Sequence, residues 1–71
     1  MNKWAALHFA AEENHFRIIA LLLENGAHIE AQTSFGRTAL HLASRKKNID
    51  AMKILIEKGA NIDAIDQVIK I

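Results

Sequence analysis

A chain of 71 residues, with 51% hydrophobic and 24% charged positions, has the composition of one small globular domain and hides only about 60% of the surface its unfolded form exposes. A formal net charge of +1 gives no general pull toward nucleic acid or membrane, and the lack of cysteine excludes a disulfide framework and a thiolate metal site. No apolar run approaches the roughly 20 residues of a membrane span, and the polar N-terminus lacks a signal peptide's charged-then-apolar order; both point to a soluble intracellular, cytoplasmic piece.

After a lead-in from Met1 to Trp4, Leu7, Ala10 and Ala11 recur at the spacing of one helical face, which predicts a first helix from about Ala5 to Glu13. Its small residues allow a neighbouring helix to approach closely. Asn14-His15 interrupts it, Asn being the commonest substitute for Gly where the backbone turns left-handed. A second helix from Phe16 to Glu24 carries Ile18, Ile19, Leu21, Leu22 and Leu23 around most of its circumference, which predicts burial on several sides. Asn25-Gly26 stops it. From Ala27 to Arg37 the chain reads as an extended loop with Ser34-Phe35-Gly36 as its turn, Ile29 and Ala31 alternating with His28, Glu30 and Gln32. Thr38 is the expected N-cap of a third helix running to about Lys46, a cap that Ala5 cannot supply to the first, so the first helix should fray more readily at its start. Asn48 and Asp50 are expected to cap a fourth helix, Ile49 to Glu57, that buries Met52, Ile54, Leu55 and Ile56 and stops at Gly59.

Thr38-Ala39-Leu40-His41-Leu42-Ala43 repeats, at an offset of 33 residues, the run Ala5-Ala6-Leu7-His8-Phe9-Ala10. The same offset pairs Leu22 with Leu55, Glu24 with Glu57, Gly26-Ala27 with Gly59-Ala60, Ile29 with Ile62 and Ala31 with Ala64. A fixed period of this size marks a stack of helix-turn-helix units. The chain resembles the ankyrin repeat over about residues 1–66, on its Leu-His-x-Ala segments and its Gly-Ala closures. The resemblance implies an all-α solenoid of two repeats, 1–32 and 33–65, joined by a β-hairpin-like loop, with 67–71 the start of an incomplete third repeat or a tail. Both Pro positions of the family pattern are Ala here, Ala6 and Ala39, so the pre-set φ angle at the first helical turn is absent. Two units leave an apolar face at each end of the stack, which implies a fragment, a truncated product or self-association through the open repeat ends. Trp4 and the Val68-Ile69-Lys70-Ile71 tail are candidates to cover those ends.

Catalytic or metal chemistry finds no support. His8 and His41 occupy the family's Leu-His position, where the resemblance implies an imidazole bridging backbone groups of adjacent loops. His15 and His28 have no second ligand at helical spacing, the three glycines form no phosphate loop, and Glu12-Glu13 reads as a solvated helix end. No cofactor is expected, and the basic triplet Arg45-Lys46-Lys47 is too small a footprint for nucleic acid. What remains is a binding surface for a protein partner. By the register of the resemblance, contact residues lie at loop tips and on the exposed side of each first helix: Trp4, Glu12, Glu13, Phe35, Arg37, Arg45 and Lys46, with Asn25, Ser34 and Lys58 at equivalent places. Trp4 and Phe35 are aromatic groups of the kind that anchor protein interfaces. Glu12-Glu13 stands at the register position of Arg45-Lys46-Lys47, so exposed inter-repeat ion pairs are expected there.

Overall fold

Small-residue faces alternating with aliphatic ones build a two-layer stack of helices. A computed structural model of the chain describes residues 4–62, and four helices fall within them: α1 (Ala6–Glu12), α2 (Phe16–Glu24), α3 (Ala39–Arg45) and α4 (Ile49–Glu57). No strand occurs among the described residues. α1 packs on α3 in one layer and α2 on α4 in the other, with α1 also on α2 and α3 on α4. The alanines at 10, 11, 39, 43 and 51 are all buried, and they let the helices close on Leu7, Ile19, Leu40 and Leu55. Full burial of each such aliphatic side chain stabilises the fold by about 1.5–3 kcal/mol.

All four helices end in the same way. At the end of α1 the His15 N–H donates to the Ala10 carbonyl and the Asn14 N–H to the Ala11 carbonyl, and α2, α3 and α4 repeat the pattern with Ala27, Asn48 and Ala60. This Schellman closure needs a left-handed residue just past the helix. Gly26 and Gly59 fill it at φ 93° and 102°, Asn14 at 60° and Lys47 at 57°. Lysine fits that position worst, its Cβ crowding the carbonyl oxygen. We therefore expect Lys47→Gly to raise stability by about 1 kcal/mol, read as a higher urea midpoint with unchanged slope; a lower midpoint would contradict the assignment.

The loop between the repeats closes through one residue. The Thr33 N–H donates to the Arg37 carbonyl and the Gly36 N–H to the Thr33 carbonyl, both at 2.9 Å. The buried Thr33 hydroxyl accepts from the backbone N–H groups of Phe35 and Arg37. The result is a hairpin-like finger without ladder pairing. Ile29 and Ala31 are half-buried while His28, Glu30 and Gln32 are exposed, as the alternation predicts.

Three sequence expectations need correction. Of the α2 side chains only Ile19 is fully buried, and Ile18 and Leu21 are exposed, because helices contact α2 on two sides and not all round. In α4 Leu55 and Ala51 are buried, Met52 and Ile54 half-buried and Ile56 exposed, for the same reason. The third concerns Asn48. It occupies the N-cap of α4, but its side chain makes no capping bond there. Its Nδ2 donates instead to the Ala11 and Glu12 carbonyls at the end of α1, at 2.9 and 2.8 Å. The cap of α4 comes from the other repeat: the Ala51 N–H donates to Asn14 Oδ1 at 3.0 Å. Two asparagines thus clasp the repeats together, each serving a helix end of the other unit. At the same register positions stand His15 for Asn48 and Lys47 for Asn14, so a copy stacked in register on either end would lack this clasp.

The register also exposes what the first repeat lacks. Phe9 is 58% exposed where its equivalent Leu42 is 4% exposed, and Ile18 is 47% exposed where Ala51 is buried. Ala6 is exposed and Ala39 buried in the same manner. These second-repeat positions are covered by the first repeat. The tail of 67–71, and with it the start of a third repeat, lies outside the described residues.

Candidate functional site

The two Leu-His positions fix the frame on which the exposed residues stand. His8 is 1% exposed, its Nδ1 accepting the Ala5 N–H at 2.8 Å and its Nε2 bonded to the Ala31 carbonyl at 2.9 Å. Since Nδ1 accepts, Nε2 carries the proton and donates. The imidazole therefore ties the start of α1 to the loop after α2, the structural bridge expected of it. His41 takes the same position on α3, its Nδ1 accepting the Thr38 N–H at 2.9 Å. Ala64, which stands in register with Ala31, lies outside the described residues. Thr38 caps α3 as expected, its Oγ1 accepting the His41 N–H at 3.4 Å, whereas Ala5 makes no side-chain bond.

Burial of the His41 ring lowers its pKa below the ordinary imidazole value; the Arg37 charge lowers it further and Glu30 opposes. The folded chain thus refuses a proton that the unfolded chain accepts below about pH 6.5. Stability is full above that pH and falls as the pH drops toward the folded-state value. We expect the wild-type melting temperature to fall more between neutral pH and about pH 5 than that of His41→Gln; equal slopes would contradict the linkage.

Between the first helices of the two repeats lies a cleft of about 280 Å³ lined by Trp4, Glu12, Leu42, Arg45 and Lys46. Four of the seven contact residues expected from the sequence meet there. Trp4 is half-buried, its ring 4.9 Å from Phe9 and 6.0 Å from His8 in tilted contacts. These contacts hold the indole against α1 without hiding Phe9. Glu12 borders the cleft on the α1 side, Arg45 and Lys46 on the α3 side. Among the described residues no ion pair joins Glu12 or Glu13 to Arg45, Lys46 or Lys47, which corrects the expectation of inter-repeat salt bridges. Exposed charges at this spacing gain too little Coulomb energy to hold long side chains together; the asparagine clasp fastens the repeats instead.

Phe35 and Arg37 stand apart from the cleft lining, on the finger that Thr33 closes. Phe35 is 74% exposed and Arg37 is exposed. Glu13 is exposed just past α1 and does not line the cleft. Glu30, also on the loop, accepts the Asn61 N–H at 2.6 Å and so links the two closing loops. A shallower hollow of about 210 Å³ is formed by Asn14, His15, Phe16, Arg17 and Ile18, with the Arg17 guanidinium 5.5 Å above the Phe16 ring. None of the expected contact residues borders it.

Sequence reasoning missed two residues of this surface. Leu42 floors the cleft, and its signal was the register with Phe9, which shows a large apolar group at that step of each first helix. Thr33 sets the finger tip, signalled only by a hydroxyl two residues before the turn centre. Among the described residues no three His, Asp or Glu side chains gather as metal ligands would, and no helix is long and apolar enough to cross a membrane.

A comparison with curated proteins finds no match. A family profile described as "Ankyrin repeats (3 copies)" matches residues 1–66.

Proposed function

The chain belongs to the ankyrin-repeat family, and from that premise we propose that it is a non-catalytic, cofactor-free protein-interaction module working inside the cell. Ankyrin repeats are generally protein–protein interaction modules. In this reading a protein partner contacts the finger tip and the exposed side of the first helices through Trp4, Glu12, Glu13, Phe35, Arg37, Arg45 and Lys46. The observation that carries it is the convergence of an indole and charges of both signs on one cleft between the repeats. None of those groups is needed by the core, since the buried cluster consists of other residues. Nucleic acid and membrane are not partners in this reading.

The test is capture of proteins from a lysate by the wild-type chain and by a Phe35→Ala/Arg45→Ala variant. Truncating the aromatic group of the finger together with a cation of the cleft should weaken capture by about 2 kcal/mol or more with helical content intact. Undiminished capture would contradict the surface, and loss of helicity would make these residues structural.

A second reading has its own support. Ala6, Phe9 and Ile18 are exposed where Ala39, Leu42 and Ala51 are covered, as in a spacer segment of a longer array with no partner of its own. Self-association through the open repeat ends would cover the same groups, though without the asparagine clasp. Lysate capture that returns nothing specific supports the spacer, and mass that rises with concentration supports self-association.

A further inference from the structure

We propose that the α1–α3 cleft takes an extended peptide segment in which one acidic residue adjoins a large apolar one, the apolar side chain lying against Trp4 and Leu42 and the carboxylate between Arg45 and Lys46. The inference rests on the interaction-module reading and names the chemistry of its partner. Charge selects the acid. Two cations line the α3 side, Lys47 follows them in the chain, and among the described residues none of the three is in an ion pair. Guanidinium beside ammonium favours a carboxylate, the guanidinium offering it two parallel N–H groups.

Glu12 sets the limit on that preference. It stands in the same cleft and repels a run of acids or a phosphate backbone, so the complementary ligand carries one carboxylate and turns a backbone N–H toward Glu12. The apolar half follows from the indole. Trp4 is braced by Phe9 and His8 while still lining the cleft, and Leu42, 4% exposed, forms the floor. A volume of about 280 Å³ falls at the small end of ligand pockets, enough for one large side chain and its neighbour and too small to seat a helix.

The test pans a display library of random dodecapeptides on the full-length chain, then measures the enriched peptides by emission of Trp4, the single tryptophan. Enriched sequences should place Asp or Glu beside Leu, Ile, Phe or Trp, and should shift the indole emission on saturable binding. Arg45→Gln/Lys46→Gln, shown folded by its helical circular dichroism, should bind them about tenfold more weakly. Replacing the peptide's acid by its amide should weaken wild-type binding to the same extent and leave the variant unaffected. Enriched peptides that lack an acid, or that bind the variant equally well, overturn this ligand chemistry while leaving the interaction module standing. Absence of any enriched peptide, with proteins still captured from a lysate, also overturns the inference alone; absence of both overturns the module as well.

Discussion

Asn48→Ala is expected to destabilise the chain by about 2–3 kcal/mol, and Asn48→Asp by no less. The side-chain amide donates to two carbonyls at the end of α1, and removing it leaves both partly buried acceptors without that donor. Aspartate separates a cross-repeat clasp from a local cap. It is among the best N-cap residues, so it would rescue a capping role, but it has no donor and would set a carboxylate against the α1 carbonyls. Asn14→Ala removes the acceptor of the Ala51 N–H and places alanine at φ 60°, for a loss of about 2 kcal/mol. Both losses are large for a domain whose total stability, at typical per-residue values, is about 4–10 kcal/mol. Urea unfolding of the single and double variants checks this; additive effects, with full stability retained in Asn48→Asp, would mean the clasp does not couple the repeats.

Replacing His8 should cost more still. His8→Ala removes both ring bonds, strands the Ala31 carbonyl and the Ala5 N–H, and opens a cavity beneath Trp4, together about 3–4 kcal/mol. His8→Phe restores the volume but neither bond, and should recover only the cavity share. The readout is the urea midpoint followed by circular dichroism. A loss below about 1 kcal/mol for His8→Ala would show that the imidazole is not a bridge between α1 and the following loop.

Periodicity made the helices legible. Large apolar residues at helical spacing and the stops at Asn25-Gly26 and Gly59 placed α2 and α4 at their observed ends, and the 33-residue offset carried the same reading from one repeat to the next. Burial was less legible, because hydrophobicity around α2 reveals what could be covered and not which neighbours are present: Ile18 and Leu21 face a side that α1 and α4 do not cover. The asparagines show a deeper limit. Asn48 looked like a local cap because cap preferences are local, while its actual acceptors lie 36 and 37 residues earlier. Nor does the register announce it, since Lys47 and His15 hold the equivalent places. Of the candidate site, Trp4, Glu12, Arg45 and Lys46 were readable as positions outside the core, Arg45 and Lys46 being exposed and Trp4 and Glu12 half-buried, and their meeting in one cleft follows from stacking α1 on α3. That the opposite charges do not pair depends on side-chain reach, which spacing in a sequence does not specify.

Amide-shift mapping of the isotope-labelled chain against a captured partner tests the binding surface most directly. The predicted result is that the largest shifts fall on the Trp4 indole N–H, Glu12, Leu42, Arg45 and Lys46, with Phe35 and Arg37 on the finger responding at the same partner concentration. Shifts concentrated instead on Phe9, Ile18 and Leu21, with the cleft silent, would contradict the account and assign the interaction to the open face of the first repeat.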